Sequence, residues 1–161
     1  MFKLLIMKKV LLLLLFIPLV SFGQTFDYND LKDINSLKQF KRFSFENEFV
    51  KISDDDYRVN YAQRYNKEEE LAVVWSYYYI TSNLFSFQLS KDNDGSSNDS
   101  FESVLEQVKK NCTFYDFKED GFGSYKKEFI CYTCPGSAFT GKIGFARGDK
   151  NDYIETFSNF N

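Results

Sequence analysis

Beyond the first two dozen residues, apolar positions recur with two different periods, and the places where the period changes divide the chain into elements. Leu31, Ile34, Leu37 and Phe40 stand three apart and predict a helix, with Asp27, Asn29 and Asp30 supplying caps and charge suited to its start. Four runs with strand character follow: Phe43 to Ile52, Tyr57 to Tyr65, Leu71 to Ile80 and Leu84 to Ser90. The polar breaks DDD, NKEEE and TSN separate them. After the loop KDNDGSSND, Asp99 and Glu102 have capping-box spacing. Phe101, Val104, Leu105 and Val108 then share one face of a second helix. Four shorter strands are expected after it, at Cys112 to Phe117, Tyr125 to Tyr132, Thr140 to Arg147 and Asp152 to Ser158.

The opening residues follow a different rule. Lys3, Lys8 and Lys9 precede an unbroken apolar run from Val10 to Val20, and the small residues Ser21 and Gly23 stand at the cleavage positions of an export signal. The run is too short to span a hydrocarbon core, which takes about 20 apolar residues, so residues 1–23 are expected to be removed and no stable membrane anchor to remain. No Cys follows the run to accept a lipid. Residues 24–161 are then expected to form a single domain in the periplasm or outside the cell. Losing 3 of the 20 basic residues and none of the 23 acidic ones takes the formal charge from −3 to −6. That balance disfavours nucleic acid, which requires a clustered basic face.

The order helix then four strands occurs twice, over about residues 27–90 and 99–158, with faint echoes at an offset of about 70, LKQFKRFSF against LEQVKKNCTF and LFSFQLS against YIETFSN. The expectation is an α+β protein of two tandem repeats, an antiparallel sheet with both helices packed on one face. In repeated element order, export signal and use of Cys and aromatics, Leu31 to Ser158 resembles the small exported inhibitors of the β-lactamase inhibitory protein type. The resemblance implies that the uncovered sheet face grips a target enzyme through aromatic and polar side chains, and it transfers no individual contact residue.

Alternation along the strands indicates which side chains that face would carry. Tyr57, Val59 and Tyr61 alternate with Arg58, Asn60 and Arg64, and Phe85, Phe87 and Leu89 alternate with Ser86 and Gln88. The apolar set should meet the helices, leaving Arg58, Asn60, Arg64, Ser86 and Gln88 outside. The run LAVVWSYYYI is apolar on both sides, so either Trp75, Tyr77 and Tyr79 or Ser76 and Tyr78 must be exposed or covered by something; Trp75, Tyr77 and Tyr79 join the five polar residues as the eight expected contact residues. Aromatics and Arg on a sheet surface are the residue types that dominate protein-binding hot spots.

Candidate chemistry is sparse. The absence of His removes Ser-His-Asp and Cys-His catalysis and every His-based metal site. An exported protein should oxidise its cysteines, and a hairpin turning at Glu119 to Gly123 would set Cys112 opposite Cys131, with Cys112 to Cys134 as the alternative. CYTC ends a strand instead of starting a helix, so a redox pair is not expected. GSAFTGK has Ile143 where a phosphate-binding loop needs Ser or Thr, and it leads into a strand. SKDNDGSSNDSFE departs from a calcium loop at its first and last ligands and reads as a linker; Asp54, Asp55 and Asp56 read as a polar turn, and Arg147-Gly148-Asp149 as a hairpin turn. No catalytic residue, cofactor or metal ligand is expected. The function expected is non-enzymatic occlusion of another protein, by an inhibitor or immunity-type protein. Its acidic surface would suit a basic partner, the alternatives being a carrier of a small hydrophobic ligand or an envelope structural module. Oligomeric state is open at this level.

Overall fold

The computed structural model describes residues 26–121, 126–139 and 141–158. The expected export signal, and Tyr125 and Thr140 at the starts of two expected strands, lie outside them. Among the described residues, three helices and eight strands follow in the order α1 (Tyr28–Leu31), α2 (Leu37–Glu46), β1 (Val50–Asp54), β2 (Arg58–Gln63), β3 (Val74–Tyr79), β4 (Leu84–Ser90), α3 (Asp99–Asn111), β5 (Thr113–Asp120), β6 (Lys127–Thr133), β7 (Lys142–Arg147) and β8 (Asn151–Phe157). The strands form one continuous antiparallel sheet with the order β1-β2-β3-β4-β8-β7-β6-β5, so β4 and β8 meet at its centre. The fold class is α+β. None of the described helices is long and apolar enough to cross a membrane.

The single first helix read from the three-residue spacing is two helices. Asp27 caps α1, its carboxylate accepting from the amides of Asn29 and Asp30 while Asp30 accepts from the Asp27 amide. The chain then leaves the helix and starts again at Ser36, whose hydroxyl accepts from the Gln39 amide to cap α2. Leu31, Ile34 and Phe40 are all buried as the spacing implies. The expected strand from Phe43 is corrected: α2 runs on to Glu46 and the strand is only Val50–Asp54. Phe43 and Phe45 mimic strand alternation. On the helix, however, Phe43 points into the core while Phe45 is 85% exposed.

At α3 the cap is Asn98, accepting from the Ser100 amide, and not Asp99. Glu102 turns outward instead and takes both terminal nitrogens of Arg147, at 2.7 and 3.0 Å. The apolar face expected for α3, Phe101, Val104, Leu105 and Val108, is buried in full.

One aromatic core lies between helices and sheet. Phe26 sits with its ring centroid 5.0 Å from Phe87, Phe40 lies 5.2 Å from Tyr78, and Phe43 lies 5.5 Å from Phe87. Under α3, Phe101 meets Phe145 at 5.8 Å. Burying side chains of this size is worth roughly 1.5–3 kcal/mol each, so this layer is the main source of stability. It also determines which sheet face is left for other work.

Cys112 pairs with Cys134, not with Cys131. The hairpin turns later than expected, since Asp120 pairs with Lys127 and Thr113 with Thr133. That register sets the residue before Thr113 beside the residue after Thr133, Cα atoms 4.4 Å apart. Cys131 lies opposite Asp116 on the other face, as a buried free thiol whose pKa is pushed up to about 11 by burial.

The other motifs take the bland roles expected of them. Gly148 donates its amide to Asn151 O at 2.9 Å in the β7–β8 turn, and the Arg147 guanidinium is committed to Glu102 and to Ser97. Gly136, with φ at +81°, belongs to a turn before β7. Asp55 caps its own turn by accepting from the amides of Tyr57 and Arg58, both at 2.8 Å. Among the described residues no group of three acidic or Cys side chains is placed to hold a metal.

Candidate partner-binding face

Strand alternation assigns the second face residue by residue. Val59, Tyr78, Phe85 and Ile154 belong to the core under the helices, and their neighbours along each strand point the other way. The register then joins those neighbours into a row crossing all eight strands: Ser53, Asn60, Tyr77, Ser86, Glu155, Gly144, Cys131 and Asp116. A parallel row holds Ala62, Trp75, Gln88, Tyr153 and Ala146. Arg58 pairs with Tyr79, and Tyr79 with Leu84, in a third.

The two-sided strand is thereby resolved. Trp75, Tyr77 and Tyr79 lie on the uncovered face, whereas Tyr78 is fully buried and Ser76 donates to Tyr61 O at 3.4 Å within the core. Seven of the eight expected contact residues share this face. Arg64 does not, because β2 ends at Gln63 and Arg64 occupies an exposed bend with φ at +52°. Two of the seven form floor more than contact surface: Asn60 is 9% exposed and donates to Ser53 Oγ at 2.9 Å, and Ser86 is 7% exposed.

The second half of the chain contributes residues that sequence reasoning missed. Phe129, Cys131, Ala146 and Phe157 form a small apolar cluster on this face, with Tyr153 packed against it. Cations lie over the rings: Arg58 on Tyr77 at 5.4 Å, Lys118 on Phe157 at 4.0 Å, Lys127 on Tyr153 at 4.2 Å and Lys142 on Tyr115 at 3.8 Å. Each such pair combines a flat apolar body with a charged rim, worth about 0.5–2 kcal/mol depending on exposure. The signal for these residues was the alternation in DYIETF, which separates Tyr153, Glu155 and Phe157 from Ile154. It became usable only once β8 was known to pair with β4.

Glu155 stands in the middle of the sheet, opposite Ser86 on one side and Gly144 on the other. Burial, with the Asp120 carboxylate as a second cause, raises its pKa to about 7, against the opposing pull of Lys127 and Lys118. Burial likewise raises Tyr77 above the usual phenol range, although Arg58 acts the other way. Beside Glu155 runs a groove of about 260 Å³ whose walls include Tyr79, Leu84, Lys118 and Asp120. Tyr79 and Leu84 also wall a second groove, of about 470 Å³, that continues past Arg58 and Tyr57. The face is thus a floor of small and polar side chains bordered by rings. No family model, curated protein or solved structure matches this chain.

Proposed function

We propose that this chain is an exported, non-enzymatic binding protein that occludes another protein with the uncovered face of its sheet. The observation that carries the reading is the run of Trp75, Tyr77 and Tyr79 on one strand, projecting from a face without a helical layer. Rings of this kind bury large area at little entropic cost and keep a polar edge for orientation. An inhibitor or immunity-type role fits an assembly of aromatic anchors and cationic rims. The net acidity left after loss of the leader draws a basic partner at long range, whereas the contact face presents cations on rings at short range.

The strand order supports an internal duplication as part of the same reading. Exchanging β1–β4 for β5–β8 leaves the order unchanged, with β4 and β8 meeting at the middle. That is the arrangement in which two copies of a helix-plus-four-strand unit, like those of the exported inhibitors it resembles, share one sheet.

The test is capture by the chain from Gln24 onward, immobilised against a periplasmic or secreted fraction, beside the variant W75A/Y77A/Y79A. Capture that disappears in the variant while its circular dichroism is unchanged supports occlusion by this face. Capture that survives the triple change, or none from either protein, overturns it.

A further inference from the structure

At the β5 end of the sheet the helical layer stops short. Tyr132 on β6 is still 7% exposed, but the side chains next to it on the same face are open: Ile130 at 38%, Phe114 at 50% and Phe117 at 55%. Phe117 pairs with Ile130 and Phe114 with Tyr132 across the β5–β6 ladder, and the Phe114 and Phe117 rings touch at 5.4 Å. This apolar patch borders a strand whose outer side has no neighbour in the sheet order among the described residues. Thr113–Asp120 contains neither Pro nor Gly; what guards it is an irregularity between Phe114 and Asp116 and the charges of Asp116, Lys118, Glu119 and Asp120. From Asp116 onward the strand is regular.

The charges on β5 select what can pair with it. Asp116 and Lys118 project from the opposite face to Phe117 and flank it. In an antiparallel pairing of two β5 strands about a two-fold axis at Phe117, Phe117 of one copy meets Phe117 of the other. Asp116 of each copy then faces Lys118 of its mate. Moving the axis to Asp116 or to Lys118 sets like charges opposite each other, which is destabilising. An axis between residues would pair side chains that belong to different faces. Axes at Glu119 or Asp120 fail in the same way as those at Asp116 and Lys118, so within the regular stretch the register centred on Phe117 is left. Lys118 keeps its own Asp120, at 3.2 Å, within such a pairing.

We propose that two copies of this chain join through β5, in the register centred on Phe117, to extend the sheet across a two-fold axis. The pairing stacks the Phe117 rings of both copies, which shields the adjoining Phe114 and Ile130, and satisfies outward backbone groups on either side of Phe117. It leaves the face bearing Trp75, Tyr77 and Tyr79 open, so it stands or falls independently of the occlusion reading.

Sedimentation equilibrium of the chain from Gln24 onward, up to roughly 1 mM where even weak interfaces fill, should give twice the chain mass. Phe117→Asp should return the single-chain mass with an unchanged circular dichroism spectrum, since Phe117 is already half exposed. Asp116→Lys should weaken the dimer at least about tenfold, or 1.4 kcal/mol, and the swap D116K/K118D should restore it. A wild-type chain that stays single at the highest concentration overturns the proposal. So does a mass that grows past two chains, a dimer that persists in Phe117→Asp, or a swap that fails to recover what Asp116→Lys lost.

Discussion

Glu155 has the most consequential setting of any single side chain here. The folded protein holds its proton more tightly than the unfolded chain, whose carboxyl titrates near 4.5, because burial and Asp120 raise the folded value to about 7. Stability that is complete below the unfolded value is therefore lost as pH climbs towards 7. The cost at pH 8 is on the order of 2–3 kcal/mol. Glu155→Gln removes the titration: its denaturation midpoint should be flat between pH 5 and 8, where the parent's falls, and higher than the parent's at pH 8. A parent whose stability rises over that range would contradict the assignment. Residue identity was legible in the sequence where periodicity was unambiguous, as for Phe85, Phe87 and Leu89, all buried. Glu155 was not legible, because its environment is built by β5 and β6, whose residues enter only through the sheet order.

Elements were easier to recognise than their ends. The four apolar positions of α3 and the full extent of β4 follow from spacing alone. The boundary between α2 and β1 does not, since FSFEN satisfies a period of two while the capping Ser36 upstream commits it to a helix. The cysteine pairing failed for a related reason, as a turn placed a few residues early moves every cross-strand partner. The bond found, Cys112 to Cys134, ties the end of α3 to the end of β6 across a separation of 22 residues. A loop of that size contributes about 3 kcal/mol in the chain-entropy account. C112A/C134A should lower stability by about that amount, read from urea denaturation. Alkylating agents should still label Cys131 slowly in folded C112A/C134A, because it is fully buried and its thiol is pushed up to about 11 by that burial. Rapid labelling would show that the cluster around Phe129 and Phe157 opens without the bond.

The α+β class and the count of eight strands could be anticipated, because alternation and polar breaks mark strands wherever they pair. Which strands become neighbours is a property of the whole chain that no local pattern encodes. The order was needed before the uncovered face could be recognised as a single surface drawn from both halves. Its left part, Arg58, Asn60, Trp75, Tyr77 and Tyr79, was anticipated; its right part, Tyr153, Phe157 and the Lys residues over their rings, emerged only with the β4–β8 junction. Six of the seven strand pairings that define this sheet join strands consecutive in sequence, whereas the seventh pairs Phe87 and Ile154 from opposite halves.

That junction also makes the molecule divisible. The linker between Ser90 and Asn98 lies outside every element, so a cut between Asp94 and Gly95 severs no helix and no strand. Each fragment then has a bare central strand, β4 or β8, and half of an aromatic core, and neither can hide these except against the other. Two separately produced pieces should combine when mixed and elute as one species with the intact chain's spectrum. Changing Phe87 to Asp should abolish that recombination, since it places a charge in the middle of the seam.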